Sequence, residues 1–298
     1  MTAQAEHQHS TQQGIILVLL SALVWSSGGA ISRAIGVDDQ WAVVAWRSFF
    51  AALFLLAFLL WRDGFKGTVQ AFRSMGWPGF GVAICFAIST TCFVMAISYT
   101  TVANVLLIQA AAPIIAAFMS WLLFKEQVPV ATWLAIIGVV LGVVMMVSDS
   151  LGNHMSLVGN VFALALAFSF ATATVITRRY AHVRMTPAVA TGVSMSGVLA
   201  AFMASTLVVS MHDLGWLMAF GALNLGLGLA LFVTGARLIP AALAALLSTL
   251  EPVLGPVWVW LFHHEVPSHM TIIGGIIILI ALVSNIMWQY YHQRFNPK

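Results

Sequence analysis

Charge is what this sequence has least of. Asp, Glu, Lys and Arg make up 7% of its 298 residues, against roughly 25% in an ordinary soluble domain. With 61% hydrophobic residues and a mean hydropathy of +0.99, a soluble globular fold is excluded. Cysteine is nearly missing as well. Cys85 and Cys92 lie on one expected helix, ~10 Å apart along its axis at 1.5 Å per residue, whereas a disulfide needs Cα atoms within about 7 Å. The two thiols say nothing about compartment.

Further absences narrow the class. Alternating ten-residue stretches of the membrane β-barrel kind do not occur, and only helices or closed barrels satisfy their backbone in lipid. No loop is long enough to fold as a separate soluble domain and no GxxxxGK[ST] phosphate cradle occurs, so pumping by this chain would draw on a gradient. His263, His264 and Glu265 read HHE rather than HExxH, and GxSxG and paired intramembrane aspartates are missing, which argues against an enzyme. No cofactor or metal is called for. The first thirteen residues are polar and carry no Lys or Arg, unlike a signal peptide.

What is present is apolar runs. A membrane helix needs ~20 such residues, and ten segments qualify: 14–35, 41–61, 77–98, 101–124, 131–148, 157–178, 187–210, 214–236, 240–262 and 269–291. The expected fold is an all-α integral membrane protein of ten transmembrane helices. Arg62, Lys66, Arg73, Lys125, Arg178, Arg179, Arg184, Arg237, Arg294 and Lys298 fall on one side, while Arg33 and Arg47 belong to the other. The positive-inside rule then places both termini in the cytoplasm. These loop anchors also account for the basic pI of about 9.1, through anionic lipid and not nucleic acid.

The chain repeats itself. At an offset of 145, Gly14, Ser27, Ser32 and Arg33 meet Gly159, Thr172, Thr177 and Arg178; at 139, Pro113, Trp121 and Glu126 meet Pro252, Trp260 and Glu265. Residues 14–148 and 157–291 are therefore two five-helix halves, flanked by cytoplasmic tails at 1–13 and 292–298. Five is odd, so the second half is inverted, an architecture that places a substrate site near the midplane. In both halves a Pro-containing helix, an apolar stretch and a Glu precede the last helix, as in QAAAPIIAAFMSWLLFKEQ and STLEPVLGPVWVWLFHHEV. That pattern resembles the EamA-type repeat of the drug/metabolite transporter superfamily, and the general likeness is to its bacterial aromatic amino acid exporter branch. The resemblance implies transport of a small molecule across a bacterial inner membrane, through a central cavity lined by helices 1, 3, 4, 6, 8 and 9.

Glu126 and Glu265 recur in both halves at helix ends, where anchoring or capping explains them. Glu251 does not recur: its counterpart is Ala112. A carboxylate mid-helix in a membrane costs ~2.5 to 3.5 kcal/mol and must face the bundle interior, water or a partner. It either binds a substrate ammonium or coupling proton, or locks packing. Pro113 and Pro252 each free the carbonyl four residues earlier, at Gln109 and Ser248, offering acceptors and a bend on both sides of the axis. They are expected hinges or static kinks, with Pro256 a further kink.

Other midplane candidates are Trp25, Ser26, Ser27, Ser89, Thr90, Thr172 and Asn224. Hydroxyls alone more often bond their own helix, but Asn224 has four hydrogen-bonding sites to satisfy. Trp25, Phe168, Phe170 and Met95 are candidates for an apolar wall or plain core packing, while Trp41, Trp61, Trp77, Trp133, Trp216 and Trp288 fit interface belts. GVVLG, Gly138 to Gly142, has the spacing of close helix contact within a monomer. The expected function is secondary export of amino acids such as Phe, Trp or Met, or of similar metabolites. A proton-coupled multidrug exporter, with Glu251 as its proton site, is the competing reading.

Overall fold

A computed structural model describes residues 2–100, 102–125, 127–148, 156–264 and 268–295. Among these every regular element is helical. In chain order they are α1 (Thr2–Ser26), α2 (Gly28–Ser32), α3 (Gln40–Ser74), α4 (Gly76–Tyr99), α5 (Val102–Gln109), α6 (Ala112–Phe124), α7 (Val130–Val147), α8 (Leu157–Arg179), α9 (Thr186–Met203) and α10 (Met211–Met218). A π-helical segment (Ala219–Leu227) follows, then α11 (Gly228–Ala236), α12 (Ala241–Ser248), α13 (Leu250–His263) and α14 (His269–Phe295).

Nine helical stretches among the described residues are long and apolar enough to cross a membrane. The expected crossing at 131–148 corresponds to a shorter apolar helix, Val130–Met146, which starts directly after Pro129, a residue without an N–H to donate. The helix expected at 41–61 runs on as α3 past a kink at Gly64, whose φ of 66° is cheap only for glycine.

The main packing partners are α4 with α8 and α9, α3 with α9 and the π-helical segment, α7 with α14, α1 with α11, and α6 with α8 and α12. Small residues let some of these approach closely. Gly142 of α7 faces Gly274 and Ile278 of α14, where a Cβ would lie 2.6 Å from the Ile278 side chain. The GVVLG run therefore packs within the chain. Thr132 of α7 donates to Asn285 of α14 at 3.2 Å along the same seam.

Two spans break at matching places. α5 stops at Gln109 and α6 starts at Ala112; α12 stops at Ser248 and α13 starts at Leu250. Gln109 and Ser248 are the carbonyls that Pro113 and Pro252 leave without their usual amide partner. Pro113 occupies the first turn of α6, where a missing N–H costs nothing. Pro256 sits inside α13.

A third break has no counterpart. α1 ends at Ser26 and resumes as α2 at Gly28, whereas α8 runs unbroken through the equivalent stretch. The exposed carbonyls of this break are answered from the π-helical segment. Asn224 Nδ2 lies 2.9 Å from the Val24 carbonyl, 3.0 Å from that of Trp25 and 3.3 Å from Ser27 Oγ. Gly28 gives the amide room, since a Cβ there would sit 3.2 Å from Asn224 Nδ2.

At the end opposite the Lys/Arg-rich loops, two aspartates tie early and late segments together. Asp39 caps α3 by accepting from Trp41 N at 2.9 Å, and also accepts from Ser205 N and Oγ at 2.7 and 2.6 Å. Asp213 accepts from Gly36 N at 2.9 Å.

Two outcomes follow from these bonds. Replacing Asn224 by Leu removes a donor from a buried break, and the cost expected for leaving the Trp25 carbonyl unsatisfied, about 1–3 kcal/mol, should lower the melting temperature of the purified protein. The Ser205 hydrogen bond, ahead of those from the backbone, holds the Asp39 carboxyl below its ordinary range. A depressed folded-state pKa gives stability that is present above the ordinary value and is lost as pH falls through the folded one. Melting curves from pH 7 down to pH 3 should therefore show an acid-dependent loss that Asp39→Ala, already lacking the cap, shows less.

Candidate functional site

Inside the bundle lies a cavity with about 490 Å³ of atom-free space, part of it continuous with the outside. It is bounded by α1, α3, α4, α5, α8, the π-helical segment, α11 and α13. Two of its lining residues are ionisable, Arg47 from α3 and Glu251 from α13.

Arg47 is two turns into α3 and only 5% exposed. Its guanidinium carbon lies 4.2 Å from the Phe220 ring centroid and 5.1 Å from that of Phe93, so aromatic faces stand in for part of its lost hydration. The π-helical segment comes this close because Gly221 has no side chain; a Cβ there would strike the Arg47 carbonyl and lie 2.7 Å from the Phe50 Cβ. Arg47 Nε is buried with no hydrogen-bond partner.

Glu251 is half-buried in the first turn of α13. The break at Thr249 thus turns a mid-span carboxylate into one at a helix N-terminus, where the partial positive charge favours it. Ala112, its repeat counterpart, opens α6 with no such charge. Arg47 and Glu251 lie within each other's field, yet among the described ion pairs none joins them directly.

Between the charges the lining is aromatic and sparsely polar: Trp25, Phe86, Phe93 and Phe170, with Ser89, Thr90, Gln109 and Asn224. Trp25 and Phe170 meet edge to face at 6.0 Å, and Phe86 and Phe170 at 6.4 Å. Gly228 makes space for the Trp25 indole, which a Cβ at that position would strike. Trp25 Nε1 and Gln109 Oε1 are, like Arg47 Nε, buried without partners. Three orphaned polar atoms in one cavity is an arrangement that native interiors avoid unless a ligand or water completes it.

A second cavity of about 300 Å³ joins the two proline breaks and shares Gln109 and Phe170 with the first; Ser248, Thr249 and Pro252 line it. A larger cleft of about 720 Å³ between α6, α7, α12 and α14 is lined by no ionisable side chain.

The residues expected from sequence divide accordingly. Trp25, Ser89, Thr90, Gln109, Phe170, Asn224 and Glu251 meet in the central cavity, and Ser248 and Pro252 lie at the smaller one. Ser26 and Ser27 turn their hydroxyls back to the Leu23 and Val24 carbonyls at 2.6 and 2.7 Å. Ser26 also accepts from Trp258 Nε1 at 2.8 Å, bolting α13 to the end of α1. Thr172 donates to the Phe168 carbonyl at 2.7 Å, so its hydroxyl serves its own helix. Phe168 is 54% exposed and stands outside the cavity wall that Phe170, a 200° rotation away on the helix, helps to build. Met95 is buried but is not among the lining residues. Glu126 and Glu265 lie outside the described residues.

Arg47 is the main correction. Counting loop charges assigns it to a membrane face, whereas the structure buries it in the cavity. The available signal was its register, seven residues past the start of α3, already two turns deep in an apolar helix.

The comparisons agree with this architecture. The profile of the EamA-like transporter family matches residues 12–148 and again 157–287. The chain is 26% identical over 281 residues to the pseudopaline exporter CntI of Pseudomonas aeruginosa in two strains, covering 92% of this chain and 95% of that protein. It is 24% identical to the uncharacterized transporter YwfM of Bacillus subtilis, covering 90% and 92%. A crystal structure 19% identical in sequence superposes with a TM-score of 0.80 over 93% of this chain and 98% of the other, a likeness of fold. With two family matches spanning most of its length, the chain belongs to the EamA-like transporter family.

Proposed function

We propose that this chain is a secondary transporter that exports amino acids with aromatic or other hydrophobic side chains, or similar small zwitterionic metabolites, by alternating access. The observation that carries the reading is the pairing of Arg47 and Glu251 in one aromatic cavity without a direct ion pair between them. A solute with a carboxylate, an ammonium and an apolar side chain answers all three features: the fork-shaped guanidinium takes the carboxylate, Glu251 takes the ammonium, and Trp25 and Phe170 take the side chain. A permanently cationic drug would satisfy Glu251 but leave Arg47 buried, unpaired and repelling it. That a relative is named a pseudopaline exporter favours a small organic solute and outward flux.

Ten crossings in two inverted halves suit this mechanism. Numbered as crossings, the packing partners include 3 with 6, 2 with 7, 5 with 10, 1 with 8, 4 with 9, 3 with 7 and 2 with 8. Exchanging the halves returns the same set of pairs, which supports a two-fold relation between them. The matched breaks at Gln109 and Ser248 supply a flexible point in each half. The excess of Lys and Arg in the loops on one side supports a reading in which both termini lie in the cytoplasm, in a bacterial inner membrane.

Counterflow in proteoliposomes is the test. Vesicles preloaded with phenylalanine, tryptophan or methionine should take up the same labelled solute saturably. Arg47→Gln and Glu251→Gln should each cut that exchange about tenfold or more, equivalent to ~1.4 kcal/mol of lost interaction, while melting like the parent. Glu251→Gln should lose less for an acid without an amine than for the amino acid. Exchange of cationic drugs with none of any amino acid would replace this reading with multidrug efflux.

A further inference from the structure

The Lys/Arg-rich end of the bundle holds a second charged cavity, well apart in sequence from the residues just discussed. About 410 Å³ of space is lined by Arg62 of α3, Arg184 of the α8–α9 loop, Thr186 of α9, and Thr234 and Arg237 at the end of α11. Three guanidinium groups reach it from three separate stretches of chain. One carboxylate stands beside them: Asp63 accepts from Arg62 Nη2 at 2.6 Å and from Arg184 Nη1 at 3.1 Å. Three positive charges against one negative leave two in excess.

Arg237 is the member without an acidic partner among the described ion pairs. Its Nε is buried with no hydrogen-bond partner, and its backbone carbonyl is taken by Arg178 Nη1 at 3.1 Å. Burial, and then the repulsion of Arg184 and Arg62, hold its guanidinium below the ordinary arginine range. The neighbouring Thr186 opens α9, an 18-residue helix whose N-cap, Met185, offers no side-chain cap, so the helix adds partial positive charge at its N-terminus. A fold gains nothing by gathering like charges into a partly desolvated pocket unless an anion neutralises them.

We propose that this cavity binds a phosphate group, held by Arg237 and Arg184 with Arg62 shared between the ligand and Asp63. Three guanidinium forks suit the tetrahedral oxygens of a phosphate far better than a single planar carboxylate. The phosphate belongs either to the headgroup of an anionic phospholipid, since the site lies where such headgroups collect, or to a soluble phosphorylated solute.

The experiment measures thermal unfolding of the purified full-length protein, delipidated in a neutral detergent at constant ionic strength. Phosphatidylglycerol should raise the midpoint and phosphatidylcholine at the same ratio should not. Arg237→Gln and Arg184→Gln should each lose at least half of that rise, while Arg73→Gln, an exposed arginine of α3 outside the cavity, should keep it. Inorganic phosphate tested against equal chloride separates the sources: a rise matching the lipid's assigns a free phosphate, and a rise with lipid alone assigns the headgroup. The side chain of Arg184 is 58% exposed, so its variant is expected to fold even if Arg237→Gln does not. Equal rises in the parent and the folded variants, or none in the parent with either ligand, would overturn the proposal.

Discussion

Hydrocarbon supplies no hydrogen bonds, so each break in a helix and each charge inside this bundle must be answered by another part of the chain. That constraint connects features that otherwise look separate. The interruption of the first span at Ser27 turns out the Val24 and Trp25 carbonyls; Ser27 bonds the first itself, and Asn224 from across the bundle bonds both. The π-helical turns carrying Asn224 also present Gly221 to α3 and Phe220 to Arg47. One irregular segment thus satisfies a broken helix on one side and lines the burial place of a guanidinium on the other. Irregular backbone in a membrane is tolerated where protein or a cavity surrounds it, and here it borders the cavity.

The repeat makes the departures from symmetry informative. Both halves break their fourth helix at the same register, ending at Gln109 and Ser248, so the break belongs to the architecture. Only the second half puts an acid just after it, and only the first half puts an arginine into the cavity from its second helix. Scaffold features come in pairs, and the chemistry does not. A symmetric pair of glutamates would have produced a site with like charges and a different class of ligand.

Apolar spans and proline breaks were legible in the sequence because each depends on composition or on a residue's covalent nature, whereas helix ends were not: α1 starts at Thr2, α3 runs on to Ser74 and α9 stops at Met203. Hydropathy over ~20 residues locates a span whatever its orientation, and a proline frees a carbonyl wherever it stands. Facing was not legible. Phe168 and Phe170 read alike in an all-apolar helix, and only packing turns one to the exterior and the other to the cavity. Ser26 and Thr172 lie at the expected depth, yet their hydroxyls were already taken by their own backbone or by Trp258. The π-helical segment left no trace in AFGALNLGL, since nothing local distinguishes a widened turn from a regular one. Arg47 was misassigned for a related reason: counting loop charges treats depth as distance from the nearest polar run, whereas seven residues of α3 already carry Arg47 to the cavity.

Placing the two charges on different halves bears on how a substrate would drive motion in the proposed cycle. A ligand shifts a conformational equilibrium only by the difference in its affinity for the two states. A solute held by Arg47 alone would ride with the first half and gain nothing from movement of the second. A zwitterion spanning Arg47 and Glu251 is sensitive to the separation of α3 and α13. The Trp258 to Ser26 bond and the packing of α13 against α1 and α2 link that separation to the broken first helix. Without substrate the opposite charges would attract across the cavity; with a zwitterion bound, each would be neutralised where it stands. Occupancy would therefore change the force between the halves at the place where each has a broken helix. A carrier needs that coupling between filling the site and moving it, and a single midplane carboxylate would not provide it.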